Sequence, residues 1–198
     1  MNSIMSIKLS AFIKISLIIQ ILLLDSCSEK GPNDYDFDYV KNQLCGVYQN
    51  TEISWSGLIV DLNGDGIGHR DLDEEFQGCP GYVKDWTCAE VKSDYSKKTF
   101  LFDVKVPVYV ITQVGGQISP VGVLFMQFNF NANWKEGMSV NNVTATGFSS
   151  QNTISVVKIA HVTSVTAGSF EVQVEYPLYD QIEKKFVEGE ARYTFKKY

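Results

Sequence analysis

The chain has 198 residues, 44% of them hydrophobic and 13% aromatic, and a formal net charge of −6. That apolar content supports a packed globular fold and excludes disorder. The acidic balance, with no basic cluster, excludes nucleic acid as a partner, because a phosphate backbone repels such a surface.

The first element is a short apolar run. Lys8 and Lys14 precede Ile15–Leu24, which is apolar apart from Ser16 and Gln20, and Leu24-Asp25-Ser26-Cys27 follows. A basic start, an apolar stretch and a small residue before a cysteine read as a cleaved export signal. Ten residues are too few to span a hydrocarbon core of ~30 Å, which needs about 20. The segment resembles the lipobox of bacterial lipoproteins, with Leu24 at the bulky position, Ser26 at the small one and Cys27 as the acylated residue. Asp25 departs from the small or apolar residue usual there. The expected organisation is a signal peptide over residues 1–26, a lipid anchor and flexible tether over 27–43, and one domain over 44–198. Cleavage leaves 15 basic and 22 acidic side chains, a net charge of −7. Membrane contact then falls to the acyl chains on Cys27, which places the protein at a bacterial outer membrane, on its periplasmic or cell-surface side.

Next comes Asp61-Leu62-Asn63-Gly64-Asp65-Gly66-Ile67, leading to Asp71. Asp, Asn and Asp at alternate positions followed by Gly match the first half of a calcium loop, in which hard oxygens on a curved backbone converge on one point. The candidate ligands are Asp61, Asn63, Asp65, the Ile67 carbonyl and Asp71, and the ion would be structural. The twelfth position is Leu72, where such loops carry Glu. Asn-Gly and Asp-Gly are also strong turn dipeptides, so two tight turns are the competing reading. Asp71–Phe76 reads as a helical turn, with Asp73, Glu74 and Glu75 on a solvated face that complements the helix dipole.

Export favours disulfides. Cys79 and Cys88 bracket Pro80, Gly81 and Trp86 closely enough to staple a local loop. Spacing alone leaves pairing of Cys45 with either of them open.

Period-2 alternation dominates the remainder. Phe100–Val110 and Leu124–Trp134 place apolar residues at even positions, and Phe170–Tyr176 and Ala191–Phe195 alternate likewise. These are half-buried strands with one wet face. Ile154–Val165 is β-branched and reads as a further strand, and Pro107 marks an edge or bulge. Gly115-Gly116, Asn141-Asn142 and Ala167-Gly168 read as turns. The fold class is therefore all-β, an antiparallel barrel or sandwich of about eight strands with one short helix after the Asp61–Gly66 loop.

Catalysis finds little footing. His69 and His161 are the only histidines, and neither lies in a nucleophile-elbow or metalloprotease motif. Among the aromatics, Trp55, Trp86, Trp134, Tyr48, Tyr82 and Tyr109 are candidates for a pocket or a sugar-stacking platform. Most of them suit core packing, with Trp86 as the exception because it sits between Cys79 and Cys88.

Leu44-Cys45-Gly46-Val47-Tyr48, then Ile59–Gly66 and Asp71-Leu72, resemble the lipocalin-like lipoproteins of Bacteroidetes. The resemblance covers residues 44 to about 76. It implies a lipocalin-like (calycin-type) barrel of about eight strands. Lipocalins open with Gly-x-Trp and close with an Arg packed over that Trp; here Tyr48 takes the Trp position and Arg192 is the candidate partner. The expected function is a non-enzymatic envelope lipoprotein that binds a small apolar or amphipathic ligand, or a protein partner. The alternative is a surface carbohydrate-binding or interaction module stabilised by calcium.

Overall fold

Alternating side chains do fold as strands here. The computed structural model describes residues 37–114, 117–135, 138–145, 157 and 159–198. Cys27, the apolar run before it, most of the expected tether, and Gly115-Gly116 lie outside the described residues. The elements are α1 (Phe37–Leu44), β1 (Gly46–Trp55), α2 (Leu72–Gln77), a 3-10 turn (Lys84–Trp86), β2 (Cys88–Asp94), β3 (Thr99–Val114), β4 (Gln117–Lys135), β5 (Met138–Ala145), β6 (Ile159–Thr166), β7 (Ser169–Glu175), β8 (Leu178–Asp180), β9 (Lys185–Val187) and β10 (Glu190–Lys197). Eight strands form one antiparallel sheet in the order β5-β4-β3-β2-β1-β10-β7-β6, while β8 and β9 make a separate hairpin. The edge strands β5 and β6 come close to one another with no ladder between them among the described residues, and the sheet curls into a barrel-like form. The described residues are all-β apart from short helices.

The inner face is filled with rings. Phe100, Phe102, Phe128, Phe130, Phe170 and Phe195 are fully buried, as are Tyr48, Tyr176 and Tyr193. Phe170 sits at their centre, 4.9 Å from Tyr48, 5.1 Å from Phe102 and 5.1 Å from Phe195 between ring centroids. Such ring pairs contribute beyond their area burial. The Tyr193 hydroxyl donates to the Pro107 carbonyl at 2.6 Å. That carbonyl is free of the ladder because β2 ends at Cys88, opposite Lys105. Pro107 thus sits on a local edge inside a long strand, where its missing N–H costs nothing.

Two expectations meet a different outcome. The tether reading of residues 27–43 stops short: Phe37–Leu44 is helical, and Phe37 is buried with its ring 5.2 Å from that of Phe100. At the helix end, Lys197 Nζ donates to the carbonyls of Asn42 and Gln43 at 3.2 and 3.1 Å, supplying partners that helix C-termini lack. Asn141-Asn142 is not a turn but lies within β5, where Asn141 pairs with Asn133. The further strand expected over Ile154–Val165 is found at Ile159–Thr166, and residues 154–156 and 158 lie outside the described ones. Ala167-Gly168 does turn the chain between β6 and β7, with Gly168 at φ +80.

Candidate functional site

The segment from Asp61 to Trp86 lies across the outer face of β3 and β4. It stays there because two backbones meet without side chains between them. Pro80 accepts a hydrogen bond from the Val123 N–H at 2.8 Å. A Cβ on Gly122 would lie 2.3 Å from the Pro80 oxygen, and one on Gly81 would lie 2.5 Å from the Val123 oxygen. Both glycines also have left-handed φ, +121 and +85, which side chains disfavour. No other residue fits either place.

Upstream, the Asp61–Ile67 loop closes on its own amides. The Asp61 carboxylate accepts the N–H of Gly64 at 2.5 Å and of Gly66 at 2.9 Å. Asn63 Oδ1 accepts from Asp65 N–H at 2.9 Å, and Asp65 Oδ1 from Ile67 N–H at 2.8 Å. These are side-chain-to-backbone turns of the kind Asx residues favour. Asp61 is buried, and the β8–β9 hairpin grips it: its N–H donates to Asp180 Oδ2 at 3.2 Å and its carbonyl accepts from Gln181 N–H at 2.7 Å. Asp71 is engaged elsewhere, capping α2 by accepting the Asp73 N–H at 2.9 Å. Among the described residues no three carboxylate, imidazole or thiol groups are gathered to hold a metal ion. Of the candidate ligands, Asp61, Asn63 and Asp65 are brought together by the loop, while the Asp71 carboxylate serves α2.

The acidic first turn of α2 is not the solvated face its composition suggested. Glu74 is exposed and pairs with His69 Nδ1 at 2.6 Å, but Asp73 and Glu75 are buried. Their environments push them in opposite directions. Burial works against ionisation of Asp73, but hydrogen bonds from Lys84 Nζ, the Tyr82 hydroxyl and Gln77, with the Lys84 charge, outweigh it and hold the carboxyl below its ordinary value. Burial dominates at Glu75 and raises its pKa, helped by the nearby Asp61 charge and only partly offset by the Leu62 N–H at 2.7 Å. Both carboxyls act as tethers: Asp73 ties α2 to the 3-10 turn, and Glu75 ties it to the loop.

At the far end of the segment stands an aromatic group on the surface. Trp86 is 53% exposed, as its place between the cysteines suggested. Its ring meets Phe125 edge-on at 5.5 Å, and Tyr82 stacks on Phe125 at 6.3 Å and 7°. Lys105 Nζ lies 4.8 Å from the Trp86 ring centre and 5.3 Å from that of Phe125, within cation–π range. Val83, Val121 and Leu124 are exposed apolar side chains of the same segment and of β4. Comparison with protein-family models, curated proteins and solved structures finds no match for this chain.

The other candidate aromatics pack inward. Trp55, Tyr48 and Tyr109 are buried, Tyr82 is half-buried, and the Trp134 side chain lies outside those described. Tyr48 donates to the Leu44 carbonyl at 2.5 Å. Arg192 does not pack over it: Tyr48 pairs with Lys197 in the β1–β10 ladder, whereas Arg192 pairs with Ser54 and reaches Glu171 and Glu190 at 3.8 and 3.9 Å.

A cavity of about 120 Å³ opens between the segment and the sheet, lined by Leu62, Asn63, Cys79, Tyr109, Gly122 and Gln181 among others. At ~30 Å³ per water it holds about four waters, well below the ~300 Å³ of a typical small-molecule pocket. Cys45, Cys79 and Cys88 are all free thiols, so the expected Cys79–Cys88 pair is not joined here. The Cys79 thiol donates to the Glu75 carbonyl at 3.3 Å, and burial, with the Glu75 and Asp61 charges, pushes its pKa up to about 12. Such a thiol is a poor nucleophile. Sequence reasoning missed Phe125 and Lys105. The available signal was Phe125 itself, an aromatic at the head of the odd-numbered run of β4 that continues as Gln127, Asn129, Asn131 and Asn133.

Proposed function

We propose that this chain is a non-enzymatic lipoprotein, anchored at a bacterial outer membrane through acylated Cys27, whose barrel-like domain binds a partner on the outer face of β3–β4. The observation that carries the reading is Trp86, exposed and braced on Phe125, set over a sheet whose inner face is already filled by phenylalanines. An aromatic kept at the surface by its own bracing residues costs solvation and is worth keeping for contact. A non-catalytic role is supported by the groups nearby. Asp61, Asp73 and Glu75 hold backbone and neighbouring side chains, and Cys79 is buried with its proton tightly held. The resemblance to lipocalin-like lipoproteins is part of this proposal, as is a structural calcium ion resting on Asp61, Asn63 and Asp65. A chelator-sensitive mass increment in native mass spectrometry supports the ion; one bare polypeptide mass before and after chelation leaves the loop to its turns.

The test of the binding surface is photo-crosslinking in cells carrying the full chain. A photoreactive phenylalanine analogue in place of Val83, which is exposed beside Trp86, is compared with one in place of Lys196 at the exposed end of β10. Adducts at the first position and not the second support the reading, and equal or absent adducts overturn it. Leu124 favours a second reading, since it is 50% exposed although its pairing partner Val108 is fully buried. If the apolar interior opens there to a small amphipathic molecule, Leu124→Arg abolishes uptake of a fluorescent fatty acid and Trp86→Ala leaves it intact.

A further inference from the structure

Resting on that reading, we infer that the partner is a neutral polysaccharide chain lying along the outer face of β3–β4. Beyond Phe125 the outward positions of β4 are Gln127, Asn129, Asn131 and Asn133, side by side on one face at every second residue. Gln127, Asn131 and Asn133 are exposed and Asn129 is partly so. A primary amide carries a donor pair and an acceptor on one short arm, which suits the adjacent hydroxyls of a sugar ring. The apolar C–H face of a sugar in turn suits the indole of Trp86 and the ring of Phe125. From Phe125 to Asn133 the strip runs about 26 Å at ~3.3 Å per residue, so the occupant is an extended chain rather than a single sugar.

Charge argues for a neutral polymer. The cations facing this strip, Lys105 and Lys92, are matched by Asp103 and Glu90 on the neighbouring outward positions of β3 and β2. Glu90 pairs with Lys92 at 2.7 Å, and Gln127 donates to Asp103 at 2.7 Å. Among the described residues of this strip two cations stand against two carboxylates, with Lys105 lying over the Trp86 and Phe125 rings, so the face carries no net positive charge to draw carboxylates, sulfates or the phosphates of a lipid headgroup, and the whole chain is acidic. The source is therefore a free polysaccharide rather than the glycan of an anionic lipid. A protein interface wants an apolar centre inside a polar rim, whereas here the apolar group sits at one end of a run of amides.

The experiment is native gel electrophoresis of the full chain in non-ionic detergent. Separate gels contain mannan, xyloglucan, mixed-linkage glucan or galactan as neutral polymers, and alginate or lipopolysaccharide as anionic ones. The expected result is retardation by at least one neutral polysaccharide and by neither anionic one. Trp86→Ala weakens that affinity about tenfold or more, and Asn131→Ala with Asn133→Ala weakens it further, while Trp86→Phe keeps most of it. These side chains are exposed, so the variants retain the fold, which circular dichroism confirms. Retardation by no neutral polymer, by anionic polymers only, or unchanged in Trp86→Ala overturns the inference. If the Val83 adduct persists and is destroyed by protease, the partner is a protein and only the glycan inference falls. If the adduct is absent as well, the binding-surface reading falls with it.

Discussion

The two faces of the β3–β4 hairpin use aromatic residues to opposite ends. On the inner face Phe100, Phe102, Phe128 and Phe130 are wholly removed from water, held by one another and by Phe170. On the outer face Phe125 is only partly covered, and what covers it, Tyr82 and Trp86, belongs to a segment fastened by two glycine contacts and two buried carboxyls. The inner rings are interchangeable in kind, since density is what they supply. The outer ones are not, because their placement depends on a particular backbone path. Stability should therefore reside inside and specificity outside.

The largest effect should come from the inner face. Phe170→Ala removes the ring at the centre of the cluster and is expected to cost about 3–5 kcal/mol, read as the shift in urea midpoint at constant slope. A cost below about 1 kcal/mol would mean the interior is looser than its burial implies. Gly122→Ala attacks the outer face through its backbone. Its Cβ has no room against the Pro80 oxygen, so a loss of about 1–3 kcal/mol is expected. It should be accompanied by a change in Trp86 emission as the 80–86 segment lifts, a change that Phe170→Ala does not produce below its unfolding midpoint.

The third effect is a dependence on pH. Because Glu75 is raised in the folded state, the fold binds its proton more tightly than the unfolded chain does. Stability from this group is full below the ordinary glutamate value of about 4.3 and is lost as pH climbs through the raised one. Asp73, held low, behaves oppositely: its contribution is present above about 3.9 and disappears as acid protonates it. Glu75→Gln should flatten the alkaline-side decline in denaturation midpoint and leave the acid limb in place. An unchanged profile would show that Glu75 is ionised in the fold at no cost. The smallest effect on stability belongs to Trp86→Ala. Removing an exposed ring and its contact with Lys105 should cost no more than about 1 kcal/mol in thermal or urea unfolding. A larger loss would make Trp86 part of the core and remove the contrast between the faces.

How far the sequence reached follows the same division. Alternation from Phe100 to Val110 and from Phe170 to Tyr176 sufficed for the strands, because a single buried face imposes its period directly on the residues. Asp71 as the start of a helix was legible for the same local reason, a cap and the amide it serves lying two residues apart. The burial of Asp73 was not, since it depends on Lys84 and Tyr82, which reach it from across a turn. Glu75 and the Leu62 amide are similarly remote in the chain. Asn141-Asn142 misled because pairing with β4 overrode turn propensity. The helix at Phe37 was hidden among acidic residues, although Phe37, Val40 and Leu44 already stood at helical spacing.

Lys197 and Tyr198 join the beginning of the domain to its end. Lys197 completes the carboxyl end of α1, and Tyr198 donates its N–H to the Val47 carbonyl at 3.0 Å. Strand β1, the first made, lies between β2 and β10, and its second neighbour is the last strand made. During synthesis one side of β1 therefore stays unpaired until β10 arrives. Only then can Lys197 cap the end of α1. Closure of the domain is thus timed by the arrival of β10.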